Sequence, residues 1–509
     1  MYDKQARIKL WGNILFIAAI VVVCFFYLQL DAVRIFTAAP TFVSYIAVNF
    51  FPPSMVHVRI YIEAVLHTVA FAVVSVFISM VLSFIFALLM SEAIVPNAFA
   101  RAVVRFFVAF LRNIPVIIWA SLMVMIFGIG SMVGLIALVL ATTGFLSRSY
   151  AESIQEIAAK KLEPLRASGT GKIAMIRHGL LPEFTPAWIN WTLFAFELNI
   201  RASAVLGMVG AGGMGVIIQT QLSLRRFNEV AAMVLMLVAI VLITEFAAGF
   251  IRKRLMGDSA IASSGATAAG IIIIFLFCLQ YLNLDIHRFV NRLSRAPRIL
   301  RLLADINSDM IMPGLRGFAA SFAMGAVGLV FGGLLALVLA FLAAENIAPC
   351  KPLSYAIKMF VSVVRAVPSL IFILMIVAAI GLGHNAGVVG LILSSMGYLT
   401  KAFIATIEEQ PRGIITSMRA TGASWGQIVV HGLLPAVLTG FLAWVAIRLE
   451  TSVAESVSLG VVGAGGIGTL LSRAIRTFDY PSVTVLIIII FGCMFFLEMM
   501  VTWVRRRFI

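Results

Sequence analysis

Several groups of residues in this chain have types and spacings that could do chemistry. Gly210-Ala-Gly212-Gly213-Met-Gly215 and Gly463-Ala-Gly465-Gly466-Ile-Gly468 both satisfy G-x-G-x-x-G. That pattern holds a dinucleotide when a strand precedes it, a helix follows and an acid lies about 20 residues on. Here each copy lies between two long apolar runs. The glycines are therefore expected to permit close backbone packing or a bent turn. Ser168-Gly-Thr-Gly-Lys172 has the tail of a phosphate-binding loop. The full pattern needs glycine at 166 and a hydroxyl at 173, where Arg166 and Ile173 stand. The chain is thus not expected to hydrolyse ATP. No nucleophile–base constellation and no metal-ligand spacing is visible, so neither a metal nor a cofactor is expected in this chain.

Ionisable residues inside apolar runs are expensive and mark function by default. Glu197 and Arg201 stand four apart, so they can pair along one helix face. Asn199 lies between them. The corresponding run of the second half carries Arg448, Glu450 and Glu455. Arg112 and Arg365 each lie several residues inside a run, just before Pro115 and Pro368. A planar guanidinium on a pathway would suit an anionic oxyacid bidentately. Structural pairing inside a bundle is the alternative for the glutamates.

These residues need elements to hold them, and composition says which. The chain has 509 residues, 62% hydrophobic and 12% charged. Soluble chains are roughly half apolar and a quarter charged. Apolar runs reach the roughly 20 residues that cross a bilayer. The net charge of +16 fits basic cytoplasmic loops rather than nucleic acid. The four cysteines are scattered, without a disulfide or metal framework.

The chain repeats itself. Arg112-Asn-Ile-Pro115 matches Arg365-Ala-Val-Pro368, His178–Pro182 matches His431–Pro435, and Glu197 matches Glu450, every pair 253 positions apart. Each half carries about six spans. Those of the first are expected near 11–30, 62–90, 103–128, 131–148, 184–206 and 228–251. Those of the second fall near 265–282, 315–344, 355–380, 384–404, 437–459 and 482–503. The expected fold is an all-α membrane protein of about 12 transmembrane helices, two parallel homologous six-span units in one chain. The units are 1–256 and 265–509, joined by a cytoplasmic linker at 257–264. Lys and Arg placement puts both termini in the cytoplasm. One segment strains that rule: Arg288, Arg292, Arg295, Arg298 and Arg301 fall on the predicted outside. Their spacing makes a solvated or lipid-facing amphipathic helix, or a basic collar for an anion or an acidic partner.

The longest polar islands, about 150–183 and 405–436, are also a repeat. Arg166-Ala-Ser-Gly169 leads to Leu181-Pro182, and Arg419-Ala-Thr-Gly422 leads to Leu434-Pro435, thirteen positions from glycine to proline in both. Each is expected to form helix, glycine break, helix. These loops resemble the E-A-A-x-x-x-G-x9-I-x-L-P signature of binding-protein-dependent ABC importer permeases. Phe196–Gly215, Arg112-Asn-Ile-Pro115 and Phe50-Phe-Pro-Pro-Ser54 look more closely like the phosphonate permease family. There are departures. Glu163-Pro-Leu165 and Thr416-Ser-Met418 replace E-A-A, and Gly179 and Gly432 replace the isoleucine.

The resemblance implies a type I ABC importer permease fold with two units fused in one chain, in the bacterial inner membrane. It implies that Glu163, Arg166, Gly169, Leu181, Pro182, Arg419, Gly422, Leu434 and Pro435 couple to two ATPase subunits. ATP and Mg would be bound by those partners. An extracytoplasmic binding protein would deliver a phosphonate or related phosphorus oxyanion, with one copy of the chain per transporter. Another small solute, or an ion-coupled secondary transporter, are the alternatives.

Overall fold

The computed structural model describes residues 19–92, 94–158, 165, 169–257, 265–294 and 296–508. Glu163, Arg166, Arg295 and most of the 257–264 linker lie outside them. Among the described residues the regular elements are all helical. In chain order the first half has α1 (Ala19–Tyr27), α2 (Ala32–Asn49), α3 (Val58–Met90), α4 (Ala98–Asn113), α5 (Val116–Phe127), α6 (Ser131–Ile157), α7 (Leu181–Leu206), α8 (Met214–Ser223) and α9 (Phe227–Gly257). The second continues with α10 (Gly265–Tyr281), α11 (Ile286–Leu293), α12 (Ala296–Leu303), α13 (Ile311–Ala343), α14 (Lys351–Ala366), α15 (Ser369–Ile380), α16 (His384–Glu408), α17 (Arg412–Ala420), α18 (Leu434–Gly460), α19 (Ile467–Arg476) and α20 (Tyr480–Phe508).

Among the described residues eight helices are long and apolar enough to cross a membrane, and up to twelve if each bent pair is one span. The bent pairs correct part of the sequence reading. The third span of each half is not one rod. α4 and α5 meet at 92°, α14 and α15 at 91°. The break has a local cause. Pro115 and Pro368 are the N-caps of α5 and α15, with ψ of 145° and 141°. Proline has no N–H to continue a helix and pushes its predecessor out of the helical region. The apolar run continues through both breaks, which hides them. The first span of each half is likewise followed by a second helix at a bend, 82° for α1–α2 and 75° for α10–α11.

The compact units do not follow the sequence halves. One unit is Asn49–Ala304. The other takes in the described residues of Met1–Val48 together with Asp305–Ile509. So α10–α12 pack on the body of the first half, where Phe275 stacks on Phe77 at 4.1 Å. In the other unit Ala38 of α2 sits in a cluster with Ile376, Ala386 and Val389. The repeat boundary therefore describes descent, and the packing boundary lies elsewhere.

Each body is built on one close helix pair. In the first, α3 meets α6 through small hydroxyl residues. Ser79 Oγ donates to Val139 O at 3.2 Å and Ser83 Oγ to Thr143 O at 3.2 Å. In the second, α13 presents Gly328 and Gly332 to Leu391, Ile392 and Ser395 of α16. Gly328 and Gly332 stand where the first half has Ser75 and Ser79. Small residues let backbones approach when lipid offers no hydrophobic push. One half uses glycine contact, the other adds hydrogen bonds.

Candidate functional site

The repeated polar islands are built alike. In the second half α17 ends in a left-handed cap. Gly422 has φ +78°, its N–H donates to Arg419 O at 3.0 Å, and Ala423 N donates to Met418 O at 3.1 Å. This pairing satisfies two carbonyls that the helix end leaves open, and glycine adopts it without strain. Ser424 and Gln427 then form a capping box that starts the next turn. A π-helical segment, Ile428–Leu433, leads into α18 with Pro435 in its first turn. The first half shows the same device where it is described. Gly169 has φ +78°, Thr170 N donates to Leu165 O at 3.2 Å, and π-helical Met175–Leu180 leads into α7 with Pro182 in its first turn. The helix–glycine–helix expectation holds in the second half. Gly432, in the family's isoleucine position, leaves room for Met418 of α17.

Both islands are fixed to their bodies by the same bond. Trp191 Nε1 donates to Ser153 Oγ at 3.1 Å, and Trp444 Nε1 to Thr406 Oγ1 at 3.2 Å. The two tryptophans stand 253 positions apart, and Ser153 and Thr406 keep the same offset although they differ in type, so the bond has no signature in residue identity alone.

Beside α17 lies a cleft of about 530 Å³ whose lining includes Arg412, Arg419, Lys351, Glu345 and Glu408. Lys358 Nζ spans Glu345 at 2.8 Å and Glu408 at 3.0 Å. The bond from Lys358 holds the Glu345 carboxyl below the usual carboxylate range. The first half has Arg105 and Gln155 at the positions of Lys358 and Glu408, and Arg105 donates to Met90 O instead.

The glycine turns have two separate jobs. Gly210, Gly212 and Gly213 have φ of +98°, +93° and +71°, and their counterparts match closely. They turn the chain into a helix whose first free N–H is capped from a distant span. Met214 N donates to Thr68 Oγ1 at 3.1 Å, and Ile467 N to Ser321 Oγ at 3.2 Å. Ser321→Ala should cost about 1 kcal/mol through loss of this cap. Faster hydrogen exchange at the start of α19, with α16 unchanged, is the check. Gly215 and Gly468 serve contact. A Cβ there would run into the carbonyl oxygens of Ala204 and Val457. Both sequence expectations for the glycines, turn and close packing, are met by different members of one motif.

The intramembrane charges are arranged differently in the two halves. In the first, Glu197 pairs with Arg201. Asn199 Oδ1 accepts from Thr142 Oγ1 at 2.9 Å, and Asn199 Nδ2 donates to Ser75 Oγ at 3.0 Å. In the second, Arg448 holds Glu455 with both amino groups, each at 2.9 Å. Ser394 and Ser395 accept from the same guanidinium, which also lies 5.4 Å from the Tyr398 ring. The Arg448 side chain is only 4% exposed. Arg448 was noticed in the sequence but not assigned to the pathway. Its partner is two helical turns away, beyond the usual i,i+4 pairing. Glu450 lies half-buried on the same helix.

Arg112 and Arg365 lie inside their apolar runs just before the prolines, in the last turns of α4 and α14, at the corners. Gly144 of α6 and Gly397 of α16 let those corners approach. Gly397 precedes Tyr398, so Arg365 and Arg448 reach neighbouring residues of α16. Among the described residues no cluster of three metal-ligating side chains occurs.

This repeated, all-helical architecture matches a family model twice. Residues 79–257 and 309–509 fit the binding-protein-dependent transport system inner membrane component. The chain belongs to that family, the non-catalytic membrane permease of ABC importers, whose ATPase is a separate subunit. It is 30% identical over 454 residues to the phosphate-import permease protein PhnE of Mycolicibacterium smegmatis, covering 87% of this chain and 84% of that one. It is 29% identical to the phosphite transport system permease protein PtxC of Stutzerimonas stutzeri, over 46% of this chain and 85% of that one. A putative cryptic phosphonate transport system permease protein, PhnE2 of Escherichia coli, is 34% identical over 24% of this chain and 98% of its own length.

Proposed function

We propose that this chain is the complete membrane channel of an importer for phosphonate or a related phosphorus oxyanion. An extracytoplasmic binding protein delivers the solute, and two ATPase subunits dock on the two islands, one on each. Both islands, and both termini, face the cytoplasm in this reading. The observation that carries it is the repeated cap, π-helical segment and proline at the islands, in a chain whose relatives are named for phosphate, phosphite and phosphonate. A rigid turn at the base of a span passes force into that span. Closure of the motor dimer would move α7 and α18 through Pro182 and Pro435, and with them the charge pairs further along. Arg112, Arg201 and Arg365 supply cationic character along the route of an oxyanion. Single-copy use follows from the two fused permease units.

The test separates docking from turn geometry. A Cβ on Gly422 or Gly169 would meet nothing within 4 Å, so the space outside the turn is open. Gly422→Ala therefore carries only the backbone cost of the left-handed conformation, on the order of 1–2 kcal/mol. Gly422→Asp adds a charge on the docking face. In proteoliposomes with the ATPase and binding protein, Gly422→Asp should cut uptake per ATP while Gly422→Ala keeps it. A docking loss of about 1.4 kcal/mol weakens ATPase affinity tenfold. Wild-type coupling in both Gly422→Asp and Gly169→Asp would remove the islands from the coupling role. Competition of uptake by methylphosphonate, phosphite and phosphate would order the solutes.

A further inference from the structure

The basic segment that strains the charge rule is absorbed by neither the coupling nor the pathway. It forms α11 and α12, within the unit Asn49–Ala304. α11 leaves the apolar helix α10 at a bend of 75°. It packs on the turn between α5 and α6, where Phe289 lies 4.9 Å from Phe127. That turn also touches the first glycine loop, since Ile129 lies over Gly210. The island of this unit is at the far end of α6, 27 residues long. So α11 and α12 lie at the end of the body opposite the proposed motor.

The two faces of these helices are unlike. On α11, Ile286, Val290 and Leu293 are 58%, 53% and 49% exposed, at helical spacing. Leu300 and Leu302 are exposed on α12. Arg288, Arg298 and Arg301 are exposed on the same pair of helices. A surface that only met water or an acidic protein would have little use for that apolar row. Apolar side chains on one face and arginines on the other place a helix in the plane of a membrane interface. Basic side chains near an anionic lipid surface are drawn to it electrostatically.

We propose that α11 and α12 form an interfacial site for anionic phospholipid headgroups on the side away from the motor. We further assign Arg292 as the link from that site to the outer turn. Arg292 donates to Phe127 O at 2.7 Å and Ile129 O at 3.1 Å. It thereby satisfies a carbonyl at the end of α5 and holds the turn that rests on Gly210. The corresponding position in the first half is Ala39, whose side chain has no donor to make such a tether. The site depends on the chain being membrane-embedded, whatever solute it carries. The arginines stay outside because headgroups hold them, against the usual cytoplasmic bias.

The test uses the full chain in nanodiscs of phosphatidylcholine alone or mixed equally with phosphatidylglycerol. A spin label on Val290→Cys, with the four native cysteines replaced, reports depth by oxygen against nickel-chelate accessibility. The label should sit in the interface and move deeper with phosphatidylglycerol. In Arg288→Gln/Arg298→Gln/Arg301→Gln the lipid response should vanish, and the matching lysine variants should restore it. Amide exchange at Gly128–Gly130 should slow with phosphatidylglycerol in the wild type and lose that response in Arg292→Ala. A label exposed to water in both mixtures would overturn the proposal. So would protection of the label by an added binding protein but not by lipid, which would make the segment a protein dock. An unchanged lipid response in the triple glutamine variant would do the same. None of these results depends on uptake, so a wrong solute assignment is recognised separately.

Discussion

Glu455→Ala is expected to destabilise this chain more than any other single change to a charged residue. It removes both carboxylate oxygens that accept from Arg448 and leaves a guanidinium 4% exposed within an apolar bundle. Breaking one side of a buried pair costs about 3–5 kcal/mol, because the remaining charge has lost its compensation. Ser394 and Ser395 can still accept, but neither carries charge. Arg448→Met/Glu455→Leu should recover most of the loss, since an apolar replacement of both leaves nothing uncompensated. Thermal unfolding of the purified chain in nanodiscs gives the comparison. Equal stability of Glu455→Ala and the double variant would show that the pair is not held as a unit. If the double variant is stable yet fails in uptake, the pair serves transport as well as folding. Glu197→Ala should behave in the same direction, moderated by an Arg201 side chain 20% exposed.

The second large effect is expected at Gly468→Ala. A Cβ there falls against the carbonyl oxygen of Val457 and close to Gly460 Cα, all backbone atoms that cannot rotate away. Overpacking of this kind costs about 1–3 kcal/mol. Gly215→Ala meets Ala204 O and Gly207 Cα and should cost a similar amount. Gly383→Ala is the control: its Cβ has open space, and only its φ of +130° resists. Thermal unfolding should separate the two kinds of glycine. A smaller loss in Gly468→Ala than in Gly383→Ala would mean that the backbones part easily at the outer turn. That result would remove the packing role.

Much of the plan was legible in the sequence because it is written twice. The offset between Arg112 and Arg365 locates the halves, and the thirteen positions from Gly422 to Pro435 locate an island. The eight long apolar helices lie where hydropathy puts them, with ends extended, as for α6 beyond 148. What was not legible depends on distance or on a break inside an apolar run. Pro115 and Pro368 sit among apolar residues, so the run reads as one span while the backbone turns. Arg448 and Glu455 are seven apart, and their meeting needs Ser394, Ser395 and Tyr398 from another helix. Thr68 and Met214 are 146 positions apart, so that cap could not be read locally. The packing boundary near 48 and 304 could not be placed from composition, because the arginines of α11–α12 mark the segment but not the body it packs on.

That boundary has a consequence for how the molecule is made. The unit Asn49–Ala304 is continuous, so its parts leave the ribosome together and can complete their packing at once. The other unit holds α1 and all but the last residue of α2, and resumes at Asp305. Those first helices enter the bilayer before any of their partners exists. They must wait through the synthesis of the whole intervening unit before Ala38 can meet Ile376 and Val389. Entropy barely penalises the wait, since each doubling of a closing loop adds only about 0.6 kcal/mol. Time does, because an unsheltered helix is open to quality control throughout. In separate permease subunits that vigil would end in a search for another molecule. In this chain the awaited partner is already on its way.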